Sequence, residues 1–87
     1  MAIARKTIDY TVYPPRFDSG RDSCWDFRTA TRARLAAKRL GIGSRLRRNI
    51  NLTNKPPIVE DWWVERVWEW DGATFRDITN DKSKGLP

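Results

Sequence analysis

An α+β domain, one antiparallel sheet with a single helix across a face, is the fold class that this chain predicts. Three observations carry it: period-2 alternation near both ends, one helix-forming segment between them, and too few residues for a second core. At 87 residues the chain has room for one small domain, near the lower limit at which a hydrophobic core holds without metal or disulfide support. The sheet is expected to have about four strands. The domain should run from residue 7 to 79, with 1–6 as a flexible N-terminus and 80–87 as a flexible tail.

The first strand is read from Thr7 to Tyr13, where Ile8, Tyr10 and Val12 share one face and Thr7, Asp9, Thr11 and Tyr13 the other. Pro14-Pro15 ends it. Ser23 to Arg28 alternates again, with Trp25 and Phe27 on one side, so the two segments should pair as a long-looped hairpin. Thr29 or Thr31 can cap the helix that follows, and Gly41 stops it. At 100° per residue, Ala30, Ala33, Ala36, Ala37 and Leu40 fall on one stripe, which lets the helix lie close to the sheet. Gly41-Ile42-Gly43-Ser44 breaks the chain, and Arg45 to Pro57 reads mostly as a loop, with room for a short strand at Asn49 to Thr53.

Trp62 to Trp70 is a strong strand. Asp71-Gly72 suits a two-residue type I′ turn, after which Ala73 to Ile78 should return. That register sets Trp70 opposite Ala73, Trp68 opposite Phe75 and Arg66 opposite Asp77. Trp62, Val64, Trp68, Trp70 and Phe75 then share the core face; Trp63, Glu65, Val67, Glu69, Thr74 and Arg76 share the outer one. Four of the five tryptophans, Trp25, Trp62, Trp68 and Trp70, are assigned to the core, because each ring buries roughly 150 to 250 Å².

Charge is distributed unevenly. The net charge is +6, made of +9 over residues 1–59 and −3 over residues 60–87. Between Thr29 and Arg48 stand Arg32, Arg34, Lys38, Arg39, Arg45, Arg47 and Arg48 without one acid. A helix surface built only for solubility mixes signs and gains from Glu-to-Lys pairs four apart. This run therefore points to a polyanionic or acidic partner. Trp63, placed on the outer face between Asp61 and Glu65, joins these seven as a candidate contact, since exposed Trp beside Arg is typical of binding hot spots; alternatively it lies over a long stem such as that of Arg76.

Other chemistries are poorly supplied. Histidine is missing and Cys24 is the single cysteine, which leaves no Cys/His zinc site and no Ser-His or Cys-His nucleophile pair. Cys24 reads as a small half-buried residue. Glu60, Asp61, Glu65, Glu69 and Asp71 are spread along a strand and read as a solvated edge rather than a catalytic or metal cluster. Gly41-Ile42-Gly43 is not followed by the residues of a phosphate loop. The expectation is a non-enzymatic protein with no catalytic or metal residues, no cofactor and no small-molecule substrate. No segment has signal-peptide or membrane-spanning length, so a cytoplasmic setting without membrane contact is expected.

The order strand, loop, strand, basic helix containing Ala37-Lys38-Arg39, then an aromatic-rich hairpin, resembles small phage-encoded type I anti-CRISPR proteins in architecture, size and charge over residues 7–78. The resemblance implies an inhibitor that docks a basic surface on the crRNA-guided type I CRISPR surveillance complex in the host bacterial cell and obstructs target DNA recognition. It would implicate Arg32, Lys38, Arg39 and the Arg45–Arg48 cluster. Many inhibitors of that group are acidic DNA mimics, which a chain at +6 cannot imitate. Two other readings stand beside it: a small DNA/RNA-binding module using the same bases on phosphates, and a structural subunit of a phage assembly.

Overall fold

The computed structural model describes residues 5–54 and 59–80. Along the chain these form β1 (Arg5–Tyr13), β2 (Trp25–Phe27), α1 (Ala30–Leu40), β3 (Arg45–Asn54), β4 (Val59–Trp70) and β5 (Phe75–Asp77). The strands make one antiparallel sheet in the order β2-β1-β3-β4-β5, and α1 packs on one side of it. The α+β class is thus the observed one, with five strands. Of the flexible ends expected at 1–6 and 80–87, residues 1–4 and 81–87 lie outside the described residues; Arg5 and Lys6 belong to β1, and Asn80 to a turn after β5.

The first half follows the expected plan. Thr29 caps α1, its Oγ1 accepting from the Arg32 N–H at 3.4 Å. At the other end Gly41 adopts φ 106°, and its N–H donates to the Ala37 carbonyl at 3.2 Å. Ala33 and Ala37 are fully buried and meet Val12 and Leu46, with Tyr10, Phe27, Leu40, Trp68 and Phe75 packed around them. Methyl-sized side chains are what allow this close approach. Ser44, also fully buried, places its hydroxyl 2.6 Å from the Ala37 carbonyl and 2.8 Å from that of Gly41, tying the helix end to the start of β3.

Arg45 to Asn54 is a ten-residue central strand, not a loop. It pairs with β1 from Arg45↔Tyr13 to Thr53↔Arg5 and with β4 on its other edge. Polar composition misled the sequence reading, because alternate residues serve different environments. Leu46 and Ile50 are 2% and 1% exposed on the helix side, while Arg47, Asn49 and Asn51 line the side that no helix covers.

The second correction is a β-bulge. Arg48 pairs with Arg66 and Asn49 with Val64, leaving Glu65 without an opposite residue. One extra residue reverses the facing of everything before it in the strand. Trp62 and Val64, assigned to the core face, therefore belong to the uncovered side, and Trp62 is 63% exposed. Trp63 opposes Ile50 on the helix side and is 47% exposed. Trp25, on the short edge strand β2, is 45% exposed. Cys24 is exposed as well. The fully buried side chains are mainly small and aliphatic, and Trp68 and Trp70 only half-buried.

The closing turn holds four residues, Asp71 to Thr74, so Trp70 faces Phe75 and Trp68 faces Asp77. Asp71 makes the longer turn favourable, because its carboxylate accepts the N–H groups of Ala73 at 2.8 Å and Thr74 at 2.6 Å. Arg66 still reaches Asp77 at 3.0 Å, diagonally. Gly72, at φ 96°, has Ile42 Cδ1 only 2.9 Å from where a β-carbon would stand.

Four outcomes follow for stability. Leu46→Ala should lower unfolding free energy by about 2 to 5 kcal/mol in denaturant titration, whereas Trp62→Ala should change it by no more than about 0.5 kcal/mol. Gly72→Ala should destabilise chiefly through its positive φ, since the exposed Ile42 side chain can turn away from the added methyl. The backbone N–H groups of Thr74 and Ala73 hold the Asp71 carboxyl below its ordinary range, as the hydroxyl and N–H of Thr79 do for Asp77. A depressed folded-state value contributes stability above the unfolded pKa that is lost as pH falls through the folded one. Asp71→Asn should therefore flatten the fall in melting temperature below about pH 4.

Candidate functional site

Strand alternation and the helix together divide the basic run over separate surfaces. Arg32, Arg34, Lys38 and Arg39 are all exposed on α1, away from the buried Ala33–Ala37 stripe. Arg32 and Arg39 flank the side next to β2, and Arg34 and Lys38 the side next to β4 and β5, where Lys38 Nζ lies 5.3 Å from the centre of the Trp70 ring. Among the described residues no carboxylate lies within 4 Å of these four.

The β3 bases are placed differently. Arg45 Nε is 3.5 Å from Glu69 Oε2, and Arg48 Nε is 3.5 Å from Glu65 Oε1. The Arg48 contact is an ion pair without a directed hydrogen bond at Nε. Glu65 and Glu69 thus serve as partners for arginines rather than as a free acidic edge. Arg45 and Arg47 point to the uncovered side of the sheet and Arg48 to the helix side, so the run does not act as one patch.

Two grooves border α1. The one beside β2 has about 430 Å³ and is lined by Trp25, Phe27, Leu35, Ala36 and Leu40, with Arg32 and Arg39 at its rim. Leu35 is 50% exposed at the top of the helix. An exposed Trp and Leu between two arginines with no acid beside them among the described residues combine hydrophobic contact with charge, the composition of an energetic anchor at protein interfaces. The second groove, about 270 Å³, lies between Arg34 and Arg48 over Tyr10, Trp68 and Phe75. Trp63 lines neither. A larger depression of about 530 Å³ runs along Pro14–Phe17 and Gly43, and its charged lining is the exposed Arg16 together with the Arg45–Glu69 ion pair.

The uncovered side carries a polar assembly that the sequence reading missed. Asn49, 5% exposed, donates through Nδ2 to Asp9 Oδ1 and to Thr11 Oγ1, both at 2.9 Å. Asn51 Nδ2 donates to the other Asp9 oxygen at 3.0 Å, and the Thr11 hydroxyl donates to Asp26 Oδ1 at 2.8 Å. Above this network the Arg47 guanidinium lies 5.1 Å from the Tyr13 ring centre and 5.9 Å from that of Trp62, within cation–π range. Burial pushes the Tyr13 phenol up against the opposing pull of Arg47, so the ring stays neutral at ordinary pH. Asn49 and Asn51 at alternate positions of one strand were the available signal, hidden by the loop assignment.

Among the described residues no group of three or more Cys, Asp or Glu side chains is placed to hold a metal ion, and no helix is long and apolar enough to cross a membrane. No family model, curated protein or solved structure matches the chain.

Proposed function

We propose that the protein is a non-enzymatic inhibitory binding protein that docks the outer face of α1 on a protein partner. The observation that carries this reading is the Trp25–Leu35 groove rimmed by Arg32 and Arg39. Phosphates alone would use the four helix cations but would gain nothing from an exposed indole and leucine between them. A protein surface presenting acidic side chains around an apolar contact would use both.

The partner we propose is a type I CRISPR surveillance complex, by the architectural resemblance to phage-encoded anti-CRISPR proteins, with obstruction of target DNA recognition as the outcome. Direct binding to DNA or RNA through Arg32, Arg34, Lys38 and Arg39 is the second reading. It is favoured by the lack, among the described residues, of any acid beside these four, and it predicts affinity that falls steeply with salt, by about 0.7 to 0.9 log units per phosphate contact per log unit of salt.

The test is a tagged pulldown from a bacterial lysate carrying a type I system, with and without nuclease, for the parent chain, Arg32→Ala/Arg39→Ala and Leu35→Asp. Surveillance-complex subunits should be recovered under both conditions by the parent and lost or reduced about tenfold in both variants. All three residues are exposed, so unfolding free energies should stay within about 0.5 kcal/mol of the parent. Recovery that vanishes with nuclease, with Leu35→Asp behaving as the parent, would transfer the function to nucleic-acid binding. Undiminished capture by both variants would remove α1 as the docking surface.

A further inference from the structure

We propose that the depression on the uncovered side of the sheet binds an unstacked guanine base. It has a volume of about 350 Å³ and is lined by Asp9, Thr11, Asp26, Arg47, Asn49, Asn51 and Trp62, within the range of small-ligand sites. None of these residues belongs to the α1 face, so this site stands or falls separately from the docking reading.

The site is built before any ligand arrives. Thr11 and Asn49, 3% and 5% exposed, are largely buried at its base. Their hydrogen bonds to Asp9 and Asp26 fix every side chain of the network. Thr11 pairs with Asp26 on one neighbouring strand and with Arg47 on the other. The carboxylate and the guanidinium therefore rise from positions two strand spacings apart, roughly 9.6 Å. They make no ion pair with each other, and that spacing matches what a flat ring bridging them would need.

Two valences are left open. Arg47 has no carboxylate or hydrogen-bond partner among the described residues, and its Nε and the Asn49 Oδ1 are buried without one. Buried unpaired donors are costly and rare, and here the Tyr13 and Trp62 rings hold the guanidinium over the network. Trp62, 63% exposed, presents open ring surface beside it.

The complementary ligand is planar, offers acceptors toward Arg47 and donors toward a carboxylate. Guanine presents O6 and N7, the acceptor pair that arginine reads with two hydrogen bonds. Its N1–H and N2–H₂ supply adjacent donors that suit Asp26, with stacking on Trp62 adding sequence-tolerant attraction. Adenine lacks the acceptor pair, and cytosine and thymine lack the donor pair. Asp9 and Asp26 outnumber Arg47, so a phosphate is unwelcome inside the depression; recognition rests on the base, whether carried by a single strand or a free nucleoside.

The test uses the full chain, with side-chain amide and indole N–H signals followed by NMR. The probes are guanosine, adenosine and cytidine, and octathymidylate with and without one central guanine. Guanine-bearing probes should bind at least about tenfold more tightly than the others, about 1.4 kcal/mol, with shifts at Asn49, Asn51 and Trp62. Affinity for guanosine should change little with salt. Asp26→Asn should remove the preference and Trp62→Ala should weaken binding of every probe; both side chains are exposed, so the melting temperature should stay nearly unchanged. Response to the strand alone would assign the base to single-stranded nucleic acid, and response to guanosine as well would extend it to the free nucleoside. Equal response to all bases, shifts confined to α1, or a preference that survives Asp26→Asn overturns the proposal.

Discussion

The alternation of β3 is the constraint on which the rest of the molecule depends. Its even residues Leu46 and Ile50 are buried on the helix side, and Leu46 with Val12 forms the seat on which Ala33 and Ala37 rest. Its odd residues Arg47, Asn49 and Asn51 build the opposite surface. Because β3 pairs with β1 from Arg45 to Thr53 and with β4 from Arg45 to Asn54, a shift of one residue would bury the arginine and asparagines and expose the core. The strand thereby fixes where α1 sits, which side of the helix is left to solvent, and what chemistry the open side carries.

Electrostatics are subordinate to that geometry. The seven bases that form one run in sequence separate into four cations on α1 with no carboxylate within 4 Å among the described residues, two arginines matched to Glu65 and Glu69, and Arg47 held by aromatic rings. Partly exposed ion pairs contribute modestly to stability. Their larger consequence is that Arg45 and Arg48 are committed within the chain, which concentrates the available positive charge on the helix. The acidic end of the sequence thus neutralises part of the basic body rather than forming an independent feature.

Much of the architecture was legible from residues alone. The β1 alternation, the Thr29 cap, the alanine stripe and the Gly41 stop each have a local cause, and each stands where local rules put it. What was not legible depends on long-range partners. Arg45 to Asn54 has a loop's composition, and only pairing on both edges makes it a strand. The bulge at Glu65 accommodates an ion pair with Arg48 that no alternation rule can anticipate, and it reverses Trp62 and Trp63. In the hairpin the Asp71 side chain, rather than the Asp-Gly dipeptide, selects the turn. The α1 cations of the candidate surface were found from charge; the groove between Trp25 and Leu35 and the Asp9–Asn49 network needed the fold.

The central claim is that strand and helix geometry make α1, rather than the basic run as a whole, the docking surface. Amide hydrogen exchange of the protein alone and bound to a purified type I surveillance complex measures this most directly. The account predicts added protection over residues 25–40, with exchange over 45–52 unchanged by the partner. Protection centred on residues 45–52 with α1 unaffected would contradict it.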